Sequence, residues 1–217
     1  GVNLYDYMAQ QVFEQQPEDI QLFLLRTSIL EEYDAQRCKR VIGKALKITE
    51  SWQSLIDQVT LRNLFVLPVG DTGDLWLRYH HLFRDFLQAR MRKERPEETI
   101  AITIALADDF ADHQDWEQAF VLYKQVRAVD EMLNLVEKAG PAMVTGGKLL
   151  TLKEWMAALP PDIATSRPSL LSLQAAILVN SGEMDQGVQL FTKVIDRLLE
   201  DNRSEERRVG KECRSRW

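Results

Sequence analysis

The residues of this chain that could do chemistry are few: His80, His81, His113 and Cys38. His80 and His81 follow the alternating run from Asp74 and precede an apolar-periodic run from Leu82, which puts the pair at a joint between a strand and a helix. A helix N-terminus carries unpaired N–H groups and the positive end of the helix dipole, so an imidazole there can join in holding a phosphate or another anion. The same spacing also allows one ring to pack under the strands while the other caps the helix, and on spacing alone the packed reading weighs more. Cys38 sits among Arg37, Lys39 and Arg40, whose charges would favour a thiolate. Its place on the apolar side of a short helix points instead to a buried, inert thiol. No histidine lies near a candidate nucleophile in sequence, and no phosphate-cradling glycine loop, Gly-x-Ser-x-Gly turn or paired-histidine helix face occurs. The chain is therefore not expected to be an enzyme by itself, nor to hold a metal or cofactor on its own.

The elements that must position the His80–His81 joint are mostly helical. Ten glycines and seven prolines are few for 217 residues, and apolar residues recur at spacings of three and four. Residues 3–15 place Leu4, Tyr5, Met8 and Val12 on one face, and Pro17 opens a second helix through Ile20, Phe23, Leu24 and Thr27. A third helix fits Asp34 to Ile42 with Gly43 as its stop, and a fourth carries Trp52, Leu55, Ile56 and Val59. The period then changes. Phe65 to Val69 is short and β-rich, Gly70-Asp71-Thr72-Gly73 is turn chemistry, and Leu75, Leu77 and Tyr79 alternate on one face of a second strand. A helix with Leu82, Phe83, Phe86, Leu87 and Met91 on its stripe follows at once. Helices, a two-stranded wing and a closing helix describe a winged-helix-like module over 1–95.

Beyond Pro96 the chain repeats itself. Gln114 to Ala119 and Gly182 to Gly187 both read as turns between paired helices, two periods of 34 apart, with Gly147 marking the middle copy. A 34-residue period with small residues at helix crossings is the tetratricopeptide (TPR) pattern, an α-solenoid whose helix pairs bury their faces by stacking on neighbours. Pro141 and Pro160-Pro161 interrupt the middle copy. The expected fold class is thus mainly all-α: a winged-helix-like domain with one β-hairpin over 1–95, then TPR-like helix pairs over 96–202. Residues 203–217 resemble translated vector or adapter sequence and are expected to be a disordered, non-native tail. The start on Gly1 inside an apparently helical run suggests a piece of a longer protein.

Composition narrows the partners. No run of 18 apolar residues and no signal peptide occurs, and two cysteines 175 residues apart offer no disulfide framework, so a cytoplasmic chain without membrane contact is expected. A winged helix often binds DNA, but Arg62 is the one basic residue of the helix 51–63 that would enter the groove, and residues 1–94 carry 13 acids against 12 bases. Residues 95–202 carry 17 acids against 9 bases. Such surfaces neutralise almost no phosphate, so no direct nucleic-acid binding is expected.

Three segments, LYDYMAQQVFEQQPEDIQLFLLRTSIL, LRNLFVLPV and WLRYHHLFRDFLQARM, resemble the winged-helix part of the large MalT-like regulators of the LuxR group. WMAALPPDI and RPSLLSLQAAILVNSGEMDQGVQLF resemble the helical repeats that follow there. The resemblance implies a chain order of nucleotide-binding ATPase, winged helix, helical-repeat sensor and DNA-binding helix-turn-helix, of which this chain would hold the two middle parts. It implies ATP or ADP as cofactor of the parent protein, the parent's nucleotide-binding domain as partner, and an inducer or regulatory protein on the repeats. Related nucleotide switches of apoptotic and plant-resistance ATPases carry Met-His-Asp at the strand-to-helix joint, and Tyr79-His80-His81 aligns with it. That alignment implies a contact from His80 to the β-phosphate of ADP, with His81 standing where the acid would be. The alternative from another class is a stand-alone TPR-like scaffold that binds protein.

Overall fold

In the computed structural model the backbone is described for residues 4–69 and 76–214, and the side chains of those residues apart from 4–6, 164, 165 and 200–214. The expected Gly70–Gly73 turn lies outside the described residues. The chain is 76% helical, and among the described residues there is one two-stranded sheet, in keeping with the mainly all-α class.

The first helix, α1 (Leu4–Glu14), buries Ala9 and Phe13 and leaves Met8 exposed, so its inner face is turned one residue from the expected one. α2 (Glu18–Thr27) starts behind Pro17 with Glu18 and Asp19 in its first turn, where acids suit the helix dipole, and buries Ile20, Phe23, Leu24 and Leu25. The third helix does not stop at Gly43. Asp34 caps α3 (Ala35–Cys38) by accepting from the Arg37 N–H, a π-helical turn (Lys39–Gly43) follows, and α4 (Lys44–Leu46) runs on to Lys47 in the left-handed region at φ 54°. Gly43 has an ordinary helical φ, and a Cβ there would meet the Ile48 carbonyl at 3.3 Å and the Trp52 ring at 3.6 Å. The glycine serves close packing rather than termination. α5 (Trp52–Leu61) buries Trp52, Leu55, Ile56 and Val59, the four expected.

β1 (Val66–Val69) and β2 (Trp76–Tyr79) form the antiparallel wing, with Val66 opposite Tyr79 and Val69 opposite Trp76. Tyr33 adds a bridge that periodicity does not reveal: its N–H donates to the Leu77 carbonyl and its carbonyl accepts from the Leu77 N–H, both at 2.9 Å. α6 (His81–Glu94) buries Phe83, Leu87 and Met91, while Leu82, expected on the same stripe, is exposed.

Seven further helices follow among the described residues. α7 (Pro96–Asp112) and α8 (Trp116–Gln125) are one antiparallel pair, α9 (Val129–Thr145) and α10 (Leu149–Ala157) a second; α11 (Pro161–Ser166) is short, and α12 (Pro168–Asn180) pairs with α13 (Met184–Arg214). The three turns expected from the repeat share one geometry. Gln114, Gly147 and Gly182 are left-handed, and the next N–H closes back over five residues: Asp115 to Phe110, Lys148 to Met143, Glu183 to Leu178, at 2.8–2.9 Å. This closure satisfies helix-end carbonyls and needs a positive φ, which Gly147 and Gly182 adopt without steric cost. Pro141 does not interrupt: it lies inside α9, which continues to Thr145 with one backbone hydrogen bond fewer. The expected disordered tail instead continues α13 as helix through Arg214, in a stretch rich in Glu, Lys and Arg, which are good helix formers, and without proline.

The chain divides into two compact units at Ala128/Val129, not at the boundary between residues 95 and 96 expected from sequence. Pro96 occupies the first helical position of α7, and that helix then packs on the winged-helix module. Ion pairs, one of them to a buried carboxylate, fix it there. Asp109, 8% exposed, accepts from Arg40 Nε at 2.5 Å, with Arg37 Nε 3.8 Å away, while Glu98 binds Arg26 at 2.8 Å and Arg95 at 2.7 Å.

Candidate functional site

The strand-to-helix joint is built from aromatic packing under a fixed backbone. Tyr79, the last residue of β2, points into the core, where its hydroxyl meets the Thr27 hydroxyl at 2.6 Å and its ring lies 5.3 Å from Tyr33 and 6.0 Å from Phe83. Phe65 and Phe83 are 5.1 Å apart. Phe65 has φ 55°, a conformation that costs a bulky residue free energy, and its carbonyl accepts the His80 N–H at 2.8 Å. One turn on, the His80 carbonyl accepts the Arg84 N–H at 3.0 Å and so begins α6. His80 is therefore the N-cap, held from both backbone sides, and its side chain makes no capping bond to the helix.

His80 is half-buried and His81 exposed; their rings are 4.4 Å apart at 32°. The expected capping by one of the rings does not occur through His80. What the joint offers chemically is the first N–H groups of a 14-residue helix beside two imidazoles at the molecular surface.

The other chemistry-bearing residues are spread apart. Cys38 is fully buried, and burial followed by the nearby Asp34 pushes its thiol well up against the opposing effect of Arg37, so the basic neighbours do not make it reactive. His113 ends α7, where Nδ1 lies 2.6 Å from the Asp109 carbonyl. Sequence reasoning missed the Arg37–Arg40–Asp109 cluster, because partners 69 residues apart leave no trace in local spacing. It also missed Arg84, Arg92 and Arg127, which share a cleft; for Arg84, Gln88 and Arg92 the four-residue spacing on α6 was a readable signal.

No helix among the described residues is long and apolar enough to cross a membrane. Residues 9–99 match the model of the MalT winged helix domain. The chain is similar to curated proteins named HTH-type transcriptional regulator MalT: 25% identical over 80% of this chain for that of Vibrio cholerae, 23% over 87% for Vibrio parahaemolyticus, and 24% over 88% for Vibrio campbellii. The resemblance drawn from the sequence thus holds across both the winged-helix module and the helix pairs. The chain spans about a fifth, 18–20%, of the length of these relatives.

Proposed function

We propose that this chain, whose residues 9–99 match the MalT winged helix domain, is the regulatory middle of an ATP-dependent transcriptional regulator, coupling nucleotide state to sensing by helix pairs. The observation that carries the reading is the similarity to MalT regulators over four-fifths or more of the chain. The chain itself is no enzyme on this reading; ATP or ADP binds a nucleotide-binding domain of the same parent protein, in the cytoplasm. His80 contacts the ADP phosphate in the closed state. The rigid setting of the joint supports that role, since a residue fixed through its backbone at a helix N-terminus can hold an anion without ordering cost.

The helix pairs, read as TPR-like over 96–202, receive an inducer or a regulatory protein. That ligand shifts the closed–open equilibrium only by the difference in its affinity for the two states. Transcriptional output follows from DNA binding elsewhere in the parent, not from this chain, whose acids outnumber its bases by 33 to 27.

The test is His80→Ala in the intact regulator. One charge-assisted hydrogen bond to phosphate contributes roughly 1.5–3 kcal/mol, so ADP should leave about ten to a hundred times faster and basal transcription should rise. An unchanged ADP off-rate with a lowered melting temperature would return His80 to a packing role and favour the scaffold reading. The chain on its own should show no calorimetric ADP binding, because one contact without a phosphate cradle is insufficient.

A further inference from the structure

Unit 1 contains a cleft of about 520 Å³ bordered by α6, α7 and α8, within the size range of small-molecule sites. Its accessible apolar lining includes Ile29, Ile100 and Leu122. Its ionisable lining is Arg84, Arg92 and Arg127, with no acid among the lining residues. That runs against the composition of the chain, in which acids are the majority.

Three carboxylates of α7 are committed elsewhere. Burial alone would raise the Glu98 carboxyl, but the bonds from Arg26 and Arg95 more than offset it and hold the group below its usual range. Asp109 is held by Arg40, and Asp108 accepts the Tyr123 hydroxyl at 2.6 Å. The arginines, by contrast, have N–H donors to spare. Arg84 spends only Nε, on the Ser28 carbonyl at 3.2 Å, and Gln88 donates to the same carbonyl at 2.8 Å, which sets this face of α6 against the end of α2. Arg92 reaches only Gln88, at 3.5 Å, and Arg127, left-handed at φ 56° after α8, pairs with no acid among the described residues.

We propose that this cleft binds a small organic anion: a phosphate or carboxylate on a short apolar body. Three like charges in a partly enclosed, partly apolar space repel one another, and an anion relieves that repulsion. Guanidinium is weakly hydrated and forked, so it takes either anion in two-point contact. The headgroup meets the arginines and the body covers the Ile29–Leu122 side. A bound ligand ties α6, the helix that His80 caps, to the α7–α8 pair. The proposal stands independently of any nucleotide contact by His80.

Calorimetric titration of the whole chain with phenyl phosphate tests it, with phenol and inorganic phosphate as the two halves of the probe. Phenyl phosphate should bind, inorganic phosphate about tenfold more weakly, and phenol without measurable heat. Arg92→Gln and Arg127→Gln, both at exposed positions, should each weaken phenyl phosphate about tenfold, as loss of one charge-assisted bond does, with unchanged melting temperatures. Arg78→Gln on the exposed wing should change nothing. Absence of phenyl phosphate binding, equal binding of either half-probe, or equal weakening by Arg78→Gln would each overturn the site.

Discussion

The two units cover their helix faces with different materials. Fifteen of the eighteen aromatic residues of the chain, and all five tyrosines, lie within residues 1–128. There, rings from distant segments meet: Tyr33 with Tyr79, Phe65 with Phe83, and Phe13 edge-on to Phe86 at 6.1 Å. Unit 2 relies on small residues that let helices approach. A Cβ on Gly140 would lie 2.5 Å from Leu173 Cδ1, and one on Gly187 2.5 Å from Val179 Cγ2. A module that presents a fixed joint gains from long-range ring packing, which defines one arrangement. A run of helix pairs needs only neighbour-to-neighbour contact, which is sequential and individually weaker.

The comparison breaks most visibly at Phe83. It is fully buried and touches three other rings of the joint. Phe83→Ala should cost about 3–5 kcal/mol, seen as a lowered urea midpoint for residues 1–128 in hydrogen exchange, with protection in α12 and α13 retained. Equal loss of protection in both units would mean that they unfold together and are not separate in stability.

Alkali should distinguish them next. Burial, then the neighbouring Tyr79, pushes Tyr33 up; burial likewise dominates for Tyr79 and outweighs the bonds from Thr27 and Tyr33. Cys38 is pushed up by burial as well. The unfolded chain releases these protons near pH 8.5 for cysteine and near pH 10 for tyrosine, whereas the folded unit keeps them. Their stabilisation is thus complete below about pH 8.5 and declines above it, by about 1.4 kcal/mol per group per pH unit once each unfolded pKa is passed. By pH 11 unit 1 should be weakened by several kcal/mol on this basis, an order-of-magnitude figure. Urea titrations at pH 8 and pH 10.5, followed through Trp52 and Trp155 in single-tryptophan variants, should show the Trp52 midpoint fall further, since unit 2 has no tyrosine.

How much of this was readable follows from the range of each interaction. The wing, the α5 stripe and the three turns at Gln114, Gly147 and Gly182 show in the sequence because alternation, helical period and glycine turn chemistry are local. The continuation through Gly43 did not show, since a glycine chosen for a Trp52 ring reads like one chosen to end a helix. The place of α7 was hidden for another reason: Asp109 and Arg40 carry no spacing signal, so the break at Pro96 suggested a boundary that the ion pair overrides. His80 was legible as a joint residue, because the change of period falls on it. The arginine cleft needed the third dimension to bring Arg127 to α6.

In unit 2 the close approaches should be sensitive in proportion to what they meet. Gly187→Ala places Cβ against Val179 and 3.0 Å from the Ala175 carbonyl, a backbone atom that cannot rotate away. It should cost about 1–3 kcal/mol. Gly140→Ala meets the end of the Leu173 side chain rather than backbone and should cost less. Chemical denaturation followed at Trp155 gives both values, and the reverse order would show that α12 and α13 adjust more readily than the Leu173 side chain.

The smallest effect should come from the polar contact of unit 2. Arg167 Nη1 lies 3.2 Å from Glu137 Oε2, and the Ser169 hydroxyl donates to Glu137 Oε1 at 2.5 Å. Both charged side chains remain partly in water, at 39% and 28% exposure, so solvent and salt screen the pair and each partner is rehydrated when the other is removed. Asp109 in unit 1 has no such escape at 8% exposure. Arg167→Gln should therefore change stability by about 0–1 kcal/mol, with that difference shrinking further in 1 M salt. A loss above about 2 kcal/mol, outside the usual range for exposed pairs, would show that unit 2 also depends on a desolvated charge, and the contrast in materials between the units would fail at that point.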